Sequence, residues 1–392
     1  MKALGLGLGV LLVLSGTSTA TPPTVPDGWV GTWGGAAAAG VGDGYANYSI
    51  RNVIHTSVGG NAVRVRLSNR FGTQPAVLGK VSIAVAATTG SPAAADGTMR
   101  AVTFGGTDSI TIPAGAEAIS DTVSLRIPRD GDLLVSTYTP VASGPVTYHG
   151  LATQTSFFTR NGDFTLETSG TSYDERTSAW HYVSGVDVRG SGAAGTVVTF
   201  GDSITDGAGA TAGANRRWPD LLADRLRGRL GVVNSGISGN RMLLDGGNFG
   251  INALARFDED ALDITGARSI ILLEGINDIQ QNPHQTDPAP IIAAYRQFTT
   301  QAHARGLRVI GATVLPFKGW QVYDPTLEAT RQALNTFIRT SGTFDAVIDF
   351  DATMRNPADP LALRPEYDSG DHLHPNDAGY QAMADAVDLT KL

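Results

Sequence analysis

Five residues in the second half of this 392-residue chain have the types that acyl transfer needs. Ser203 lies in "GDSITDG", directly after the hydrophobic run "TVVTF". Gly239 lies in "NSGISGN", Asn277 in "GIND", and Asp371 and His374 in "SGDHLHPND". A serine hydroxyl attacks a carbonyl when a base takes its proton. An imidazole titrates near neutral pH and can be that base, which is the role open to His374. Asp371, three residues earlier, can hold one imidazole tautomer. The Ser203 N–H, the Gly239 N–H and the Asn277 amide can donate to a tetrahedral oxyanion. Gly239 also lets a substrate come close to the backbone, because it has no Cβ.

Each of these residues has a plain structural alternative. Ser203 can cap the segment that follows it. Gly239 can be a positive-φ turn residue, and Asn277, Asp371 and Asn376 can form turns or caps. His372 or His374 can be surface histidines, or "HLH" part of a metal site. Asp202 and Asp278 read as turn carboxylates rather than reacting groups. Whether the five act together depends on the elements that carry them.

Those elements change character along the chain. From about Asp27 to Val188 the dominant period is two: Val63, Val65 and Leu67 alternate with Arg64, Arg66 and Ser68. "KVSIAVA", "SITIPAG", "TVSLRIP", "DLLVSTYTP" and "VTYHGLATQTSFF" are similar, with Gly, Pro, Asp and Asn between them. Many short strands with turn signals predict a β-sandwich or jelly roll over 27–188, without helices. Trp29 and Trp33 read as core aromatics. "RGSGAAG" (189–195) reads as a linker.

After it, five apolar runs with little alternation read as strands: Thr196–Phe200, Gly231–Asn234, Ser269–Glu274, Leu307–Val314 and Phe344–Phe350. Helical spacing separates them, as in Trp218, Leu221, Leu222 and Leu226, or Ile291, Tyr295, Phe298 and Ala302. Leu327, Arg331, Leu334 and Ile338 repeat it, and Tyr380, Met383, Ala384 and Val387 close the series. This predicts a parallel sheet covered on both faces over 196–392. In open parallel sheets, sites lie beyond the carboxyl ends of the strands. Ser203, Gly239, Asn277, Asp371 and His374 all follow strand ends, so one sheet edge gathers them.

The four blocks "GDSI", "NSGISGN", "GIND" and "DHLHPND" resemble those of the SGNH hydrolases, also called the GDSL esterase/lipase family. Ile204 stands where the family has leucine, a conservative change. The resemblance covers about Thr196 to Leu392. It implies a three-layer α/β fold of flavodoxin type, with Ser203 as nucleophile, His374 as base and Asp371 as its partner. It also implies the Ser203 and Gly239 backbones and the Asn277 amide as oxyanion donors. "GWVGTWGGA" and "RNVIHTSVGGNAVRVRLSN" resemble the jelly-roll domain that precedes the catalytic domain in a group of secreted esterases of this family.

Bulk properties set the outer bounds. The chain is 42% hydrophobic and 17% charged, has 48 glycines, and carries a formal net charge of −8. The acidic balance argues against a nucleic-acid partner. Cysteine is absent, which excludes disulfides, thiolate metal sites and a Cys nucleophile. Lys2, the apolar run Ala3–Leu14 and the small residues ending at Ala20 have the layout of a secretory signal peptide, residues 1–20. The run is short of the roughly 20 residues of a membrane span.

The expectation is a secreted, monomeric serine esterase without metal or cofactor and without stable membrane anchoring. It would act on short-chain or acetyl esters, small-molecule or polysaccharide. The alternatives are a lipase or phospholipase of the same family, and a carbohydrate-binding protein with a degenerate hydrolase domain. "LLDGGN" (243–248) offers oxygen atoms but no recognisable calcium spacing.

Overall fold

The computed structural model describes residues 28–392. The signal-peptide segment lies outside the described residues.

The first half is β-rich and antiparallel. One sheet runs in the order Trp29–Gly34, Val183–Arg189, Gly60–Ser68, Val123–Ile127. A second runs Glu175–Thr177, Ser156–Arg160, Tyr48–His55, Asp132–Thr139, Lys80–Val85, Arg100–Val102. The two-residue period does what a half-buried strand requires. Val63, Val65, Leu67, Val186 and Val188 enter a core shared with Ile50, Ile54, Ile83, Leu133 and Val135 of the second sheet. Arg64 and Arg66 point the other way, and both pair with Asp187. Trp29 and Trp33 are buried.

"VTYHGLATQTSFF", read as one strand, is two. Val146–His149 joins a small third sheet between Ala39–Val41 and Trp180–His181, while Ser156–Arg160 joins the large one. The chain breaks at Gly150 and turns through Thr153, whose φ is +49°. That break leaves His149 at a strand end, facing the second half.

The second half is the three-layer α/β structure. Five parallel strands run in the order Gly231–Gly236, Thr196–Gly201, Ala267–Leu273, Arg308–Ala312, Ala346–Ile348. Alternate residues of each strand serve opposite faces. Val198, Phe200, Ile270, Leu272 and Val309 pack with the helices Ala253–Phe257, Ala289–Ala304 and Pro325–Thr340. Val197, Ile271, Leu273 and Ile310 pack with Trp218–Leu226 and Asp377–Ala386. Burial on both faces is why these strands read as apolar runs without alternation. The first three strands match the sequence expectation to within two residues at each end, and the last two are shorter than expected. The fourth strand stops at Ala312, and the fifth covers only Ala346–Ile348. Asp349 accepts a hydrogen bond from Ala352 N and caps a helix, so Phe350 starts the helix Phe350–Met354 instead of ending a strand.

The strand Gly231–Gly236 is an edge strand, and the β-rich half covers it. The Ser57 hydroxyl donates to Val232 O (3.0 Å) and accepts from Val232 N (2.9 Å). Strand Trp29–Gly34 lies against it so closely that a Cβ at Gly31 or Gly34 would sit 2.8 or 2.5 Å from a Val233 methyl. Glycine at these two positions is what permits the approach.

Candidate active site

Strand Thr196–Gly201 ends in a one-turn helix, Ser203–Asp206. Asp202 is its N-cap: its side chain accepts from Ile204 N at 2.9 Å. The helix ends at once because Gly207 takes φ +110°. Ser203 is therefore held in a fixed first turn at the carboxyl end of an inner strand of the sheet. Capping is thus done by Asp202, which leaves the Ser203 hydroxyl free for another partner.

That partner is His374. Ser203 Oγ lies 2.8 Å from His374 Nε2, and His374 Nδ1 lies 2.6 Å from Asp371 Oδ2. The other Asp371 oxygen accepts from Leu373 N (2.9 Å) and His374 N (2.8 Å). One carboxylate thus folds its own loop and orients the ring. Burial works to raise the Asp371 carboxyl, but the hydrogen bonds from the His374 ring and the two N–H groups hold it well below the usual carboxylate range. It stays an acceptor at neutral pH, so Nδ1 carries a proton and Nε2 presents a lone pair to Ser203.

The donors come from two other strand ends. Gly239 has φ +78°, and its carbonyl accepts from Gln281 Nε2 (2.9 Å). Asn277 Oδ1 accepts from Gln280 Nε2 (2.7 Å) and Gln281 Nε2 (3.0 Å), while Nδ2 donates to Asn240 O (2.9 Å). With its oxygen held by two donors, the amide turns its nitrogen toward the Gly239–Asn240 loop. The second N–H of that nitrogen is left for a ligand. Among the described residues, the Ser203 and Gly239 N–H groups make no protein hydrogen bond.

The remaining sequence candidates have structural partners. Asp278 accepts from Met242 N (2.7 Å) and Leu243 N (3.0 Å), pinning the loop after Gly239. Asn376 caps the helix Asp377–Ala386. His372 is bonded to Asp368 at 2.6 Å and is apart from the triad. Among the described residues, no group of three or more metal-ligating side chains occurs.

Several residues around the site carried no signal in the sequence reading. Trp320 stands edge-on to the His374 ring, centroids 6.3 Å apart, and its Nε1 donates to Gln280 Oε1 (3.0 Å). It follows the fourth strand, whose carboxyl end the strand-edge rule also covers. Phe249, half exposed, packs on Gly239 so closely that a Cβ there would meet its ring at 2.5 Å. Beneath Ser203, Arg256 is fully buried and donates to Gly201 O, Ser235 O and Asn240 Oδ1. It ties three strand-end segments together. Burial pushes the Asp202 carboxyl up to about 7, and Glu274 beside Arg256 is raised for the same reason.

Residues 199–382 match the GDSL-like lipase/acylhydrolase family. Among solved structures, the chain is similar to a lipase/acylhydrolase from Enterococcus faecalis, at 20% identity over 49% of this chain and 92% of that one (TM-score 0.36). It is similar to a GDSL-like lipase from Bacteroides thetaiotaomicron, at 23% identity over 49% and 84% (TM-score 0.38). It is also similar to an acetyl xylan esterase, at 20% identity over 49% and 96% (TM-score 0.39). No curated protein matches the chain.

Proposed function

We propose that this chain, whose residues 199–382 form a GDSL-like lipase/acylhydrolase domain, is a secreted serine hydrolase of carboxylic esters with short acyl groups. The observation that carries the reading is the continuous chain from Ser203 Oγ to His374 Nε2 and from His374 Nδ1 to Asp371, at 2.8 and 2.6 Å.

In this reading Ser203 attacks the ester carbonyl as His374 takes the hydroxyl proton at Nε2. Asp371 stabilises the imidazolium without becoming protonated. The oxyanion takes hydrogen bonds from the Ser203 and Gly239 N–H groups and Asn277 Nδ2. His374 then returns the proton to the leaving alcohol and activates the water that hydrolyses the acyl-enzyme. Trp320 edge-on to His374 and Phe249 packed on Gly239 support a short acyl group, because one bulky ring stands beside the base and another beside an oxyanion donor. We place the alcohol among acetylated carbohydrates.

A fluorophosphonate probe tests the chemistry: it should label Ser203, and Ser203→Ala should be neither labelled nor active on p-nitrophenyl acetate. Absence of labelling in the wild type would point to a domain that binds without catalysing. Acetylated xylan and p-nitrophenyl esters of rising chain length test the substrate, and preference for long acyl chains would overturn the short-acyl reading.

A further inference from the structure

His149 belongs to the β-rich half, yet it reaches the helix that carries Ser203. Its Nε2 lies 2.9 Å from Asp206 Oδ1, in the last position of that helix, and 3.1 Å from Leu151 O. Its Nδ1 lies 2.8 Å from Ala36 O. Both His149 and Asp206 side chains are only 4% exposed. Carbonyl and carboxylate oxygens only accept, so both ring nitrogens must donate, and His149 is an imidazolium. The second Asp206 oxygen accepts from Ser238 N (2.8 Å) and Ser238 Oγ (2.6 Å). Ser238 immediately precedes Gly239.

We propose that His149 is a positioning residue for the ester hydrolase reaction, acting through Asp206 and Ser238 to hold the Gly239 N–H in line for the oxyanion. The proposal rests on the reading of Ser203 and Gly239 given above. It makes the β-rich half a working part of the active site. The geometry is specific to this task. Asp206 is fixed at the end of the nucleophile helix, so a carboxylate held there by a cation fixes the distance from Ser203 to the Ser238–Gly239 loop. Ala36 and Ala38 pack on Ile237 in the same loop, so the β-rich half also supports it from the apolar side.

The charge on His149 is the part that can be switched. Burial would lower its pKa, but the charge and hydrogen bond of Asp206, with the Ala36 and Leu151 carbonyls, raise it overall. Around it, the Trp180 ring packs on the imidazole at 5.2 Å, and Arg217, paired with Asp220, stands over Trp180. His55, Arg129, Asp130 and Asp224 line the same cavity between the halves. Asp206 is the carboxylate in contact with the ring, so alkaline loss of the His149 proton would release Asp206 and loosen Ser238.

Steady-state kinetics of His149→Ala and His149→Gln, normalised to serine labelled by fluorophosphonate, test this. Oxyanion contacts act in the transition state, so H149A should lower kcat per labelled serine about 10- to 100-fold and leave KM within about twofold. Glutamine restores a donor toward Asp206 that does not titrate. Wild-type kcat should fall at alkaline pH as His149 loses its proton, and H149Q should stay within a few-fold of wild type at neutral pH and lack that fall. Wild-type kcat per labelled serine in H149A, whatever its melting temperature, would overturn the proposal. If H149A yields no folded protein, an alkaline limb in H149Q identical to that of wild type overturns it. Failure of the wild type to label at Ser203 would instead remove the hydrolase reading itself.

Discussion

Two histidine–aspartate pairs meet the same short helix, and they are built for opposite ends. His374 has Asp371 on Nδ1 and the Ser203 hydroxyl on Nε2. A hydroxyl can donate or accept, so this imidazole can lose and regain a proton without stranding a lone pair. His149 has Asp206 and Leu151 O on Nε2 and Ala36 O on Nδ1, all acceptors. It cannot give up a proton without setting a lone pair against an oxygen. The carboxylate is common to both pairs. What differs is the group on the other nitrogen, and that decides whether a histidine turns protons over or keeps one.

The largest effects should come from breaking the first pair. Ser203→Ala and His374→Ala should each lower kcat by roughly 10⁴- to 10⁶-fold, with melting temperatures near that of wild type. The same carboxylate-to-amide exchange then separates the two pairs. Asp371→Asn should reduce kcat about 10⁴-fold by favouring the wrong tautomer, with little change in stability because the side chain is 38% exposed. Asp206→Asn leaves a buried imidazolium without its counter-charge and should cost about 3–5 kcal/mol of stability. Urea denaturation beside single-turnover kinetics reads both quantities, and equal stability losses at the two positions would erase the distinction. Asn277→Ala should lower kcat by about 100- to 1,000-fold with KM little changed. An effect confined to KM would remove Asn277 from the oxyanion site.

The contrast also marks what sequence can carry. Ser203, Gly239, Asn277, Asp371 and His374 stood out because each follows an apolar strand, and a parallel sheet gathers strand ends at one edge. Trp320 obeys the same rule after Arg308–Ala312, but a tryptophan in a loop has no chemical type that flags it. His149 could not be read at all. "VTYHGLA" looks like continuous strand, and its approach to Asp206 is made by the packing of one half on the other, not by any local pattern. The fifth strand was read too long for a local reason: hydrophobicity continues through Phe350, but Asp349 caps there, and side-chain capping outweighs an apolar run.

A third histidine, buried like His149, sharpens the comparison through stability. His181 lies among the rings of Tyr45, Tyr148 and Phe158, and among the described residues no carboxylate pairs with it. Its Nε2 is 3.4 Å from Tyr45 Oη, and among the described residues its Nδ1 has no partner. Burial pushes this imidazole down to about 4. An unfolded histidine titrates near 6.5, so between about pH 6.5 and 4 the unfolded chain binds more protons, and stability falls as pH falls, by at most about 3 kcal/mol. His149 has the opposite sign. Its raised pKa gives a contribution fully present below about pH 6.5 that is lost as pH rises through the folded value. Chemical denaturation of wild type beside each variant from pH 4.5 to 9 isolates the two contributions. Relative to His181→Asn the wild type should lose stability toward acid, and relative to His149→Gln toward alkali, while the raised Asp202 and Glu274 carboxyls, which slope the other way in acid, are common to all three. If the stability difference between H181N and wild type did not change from about pH 6.5 to 4.5, burial without a partner would not be what holds His181 neutral. The rule drawn from the other two histidines, that contacts on the ring nitrogens set the proton count, would then fail at the residue where it should be simplest.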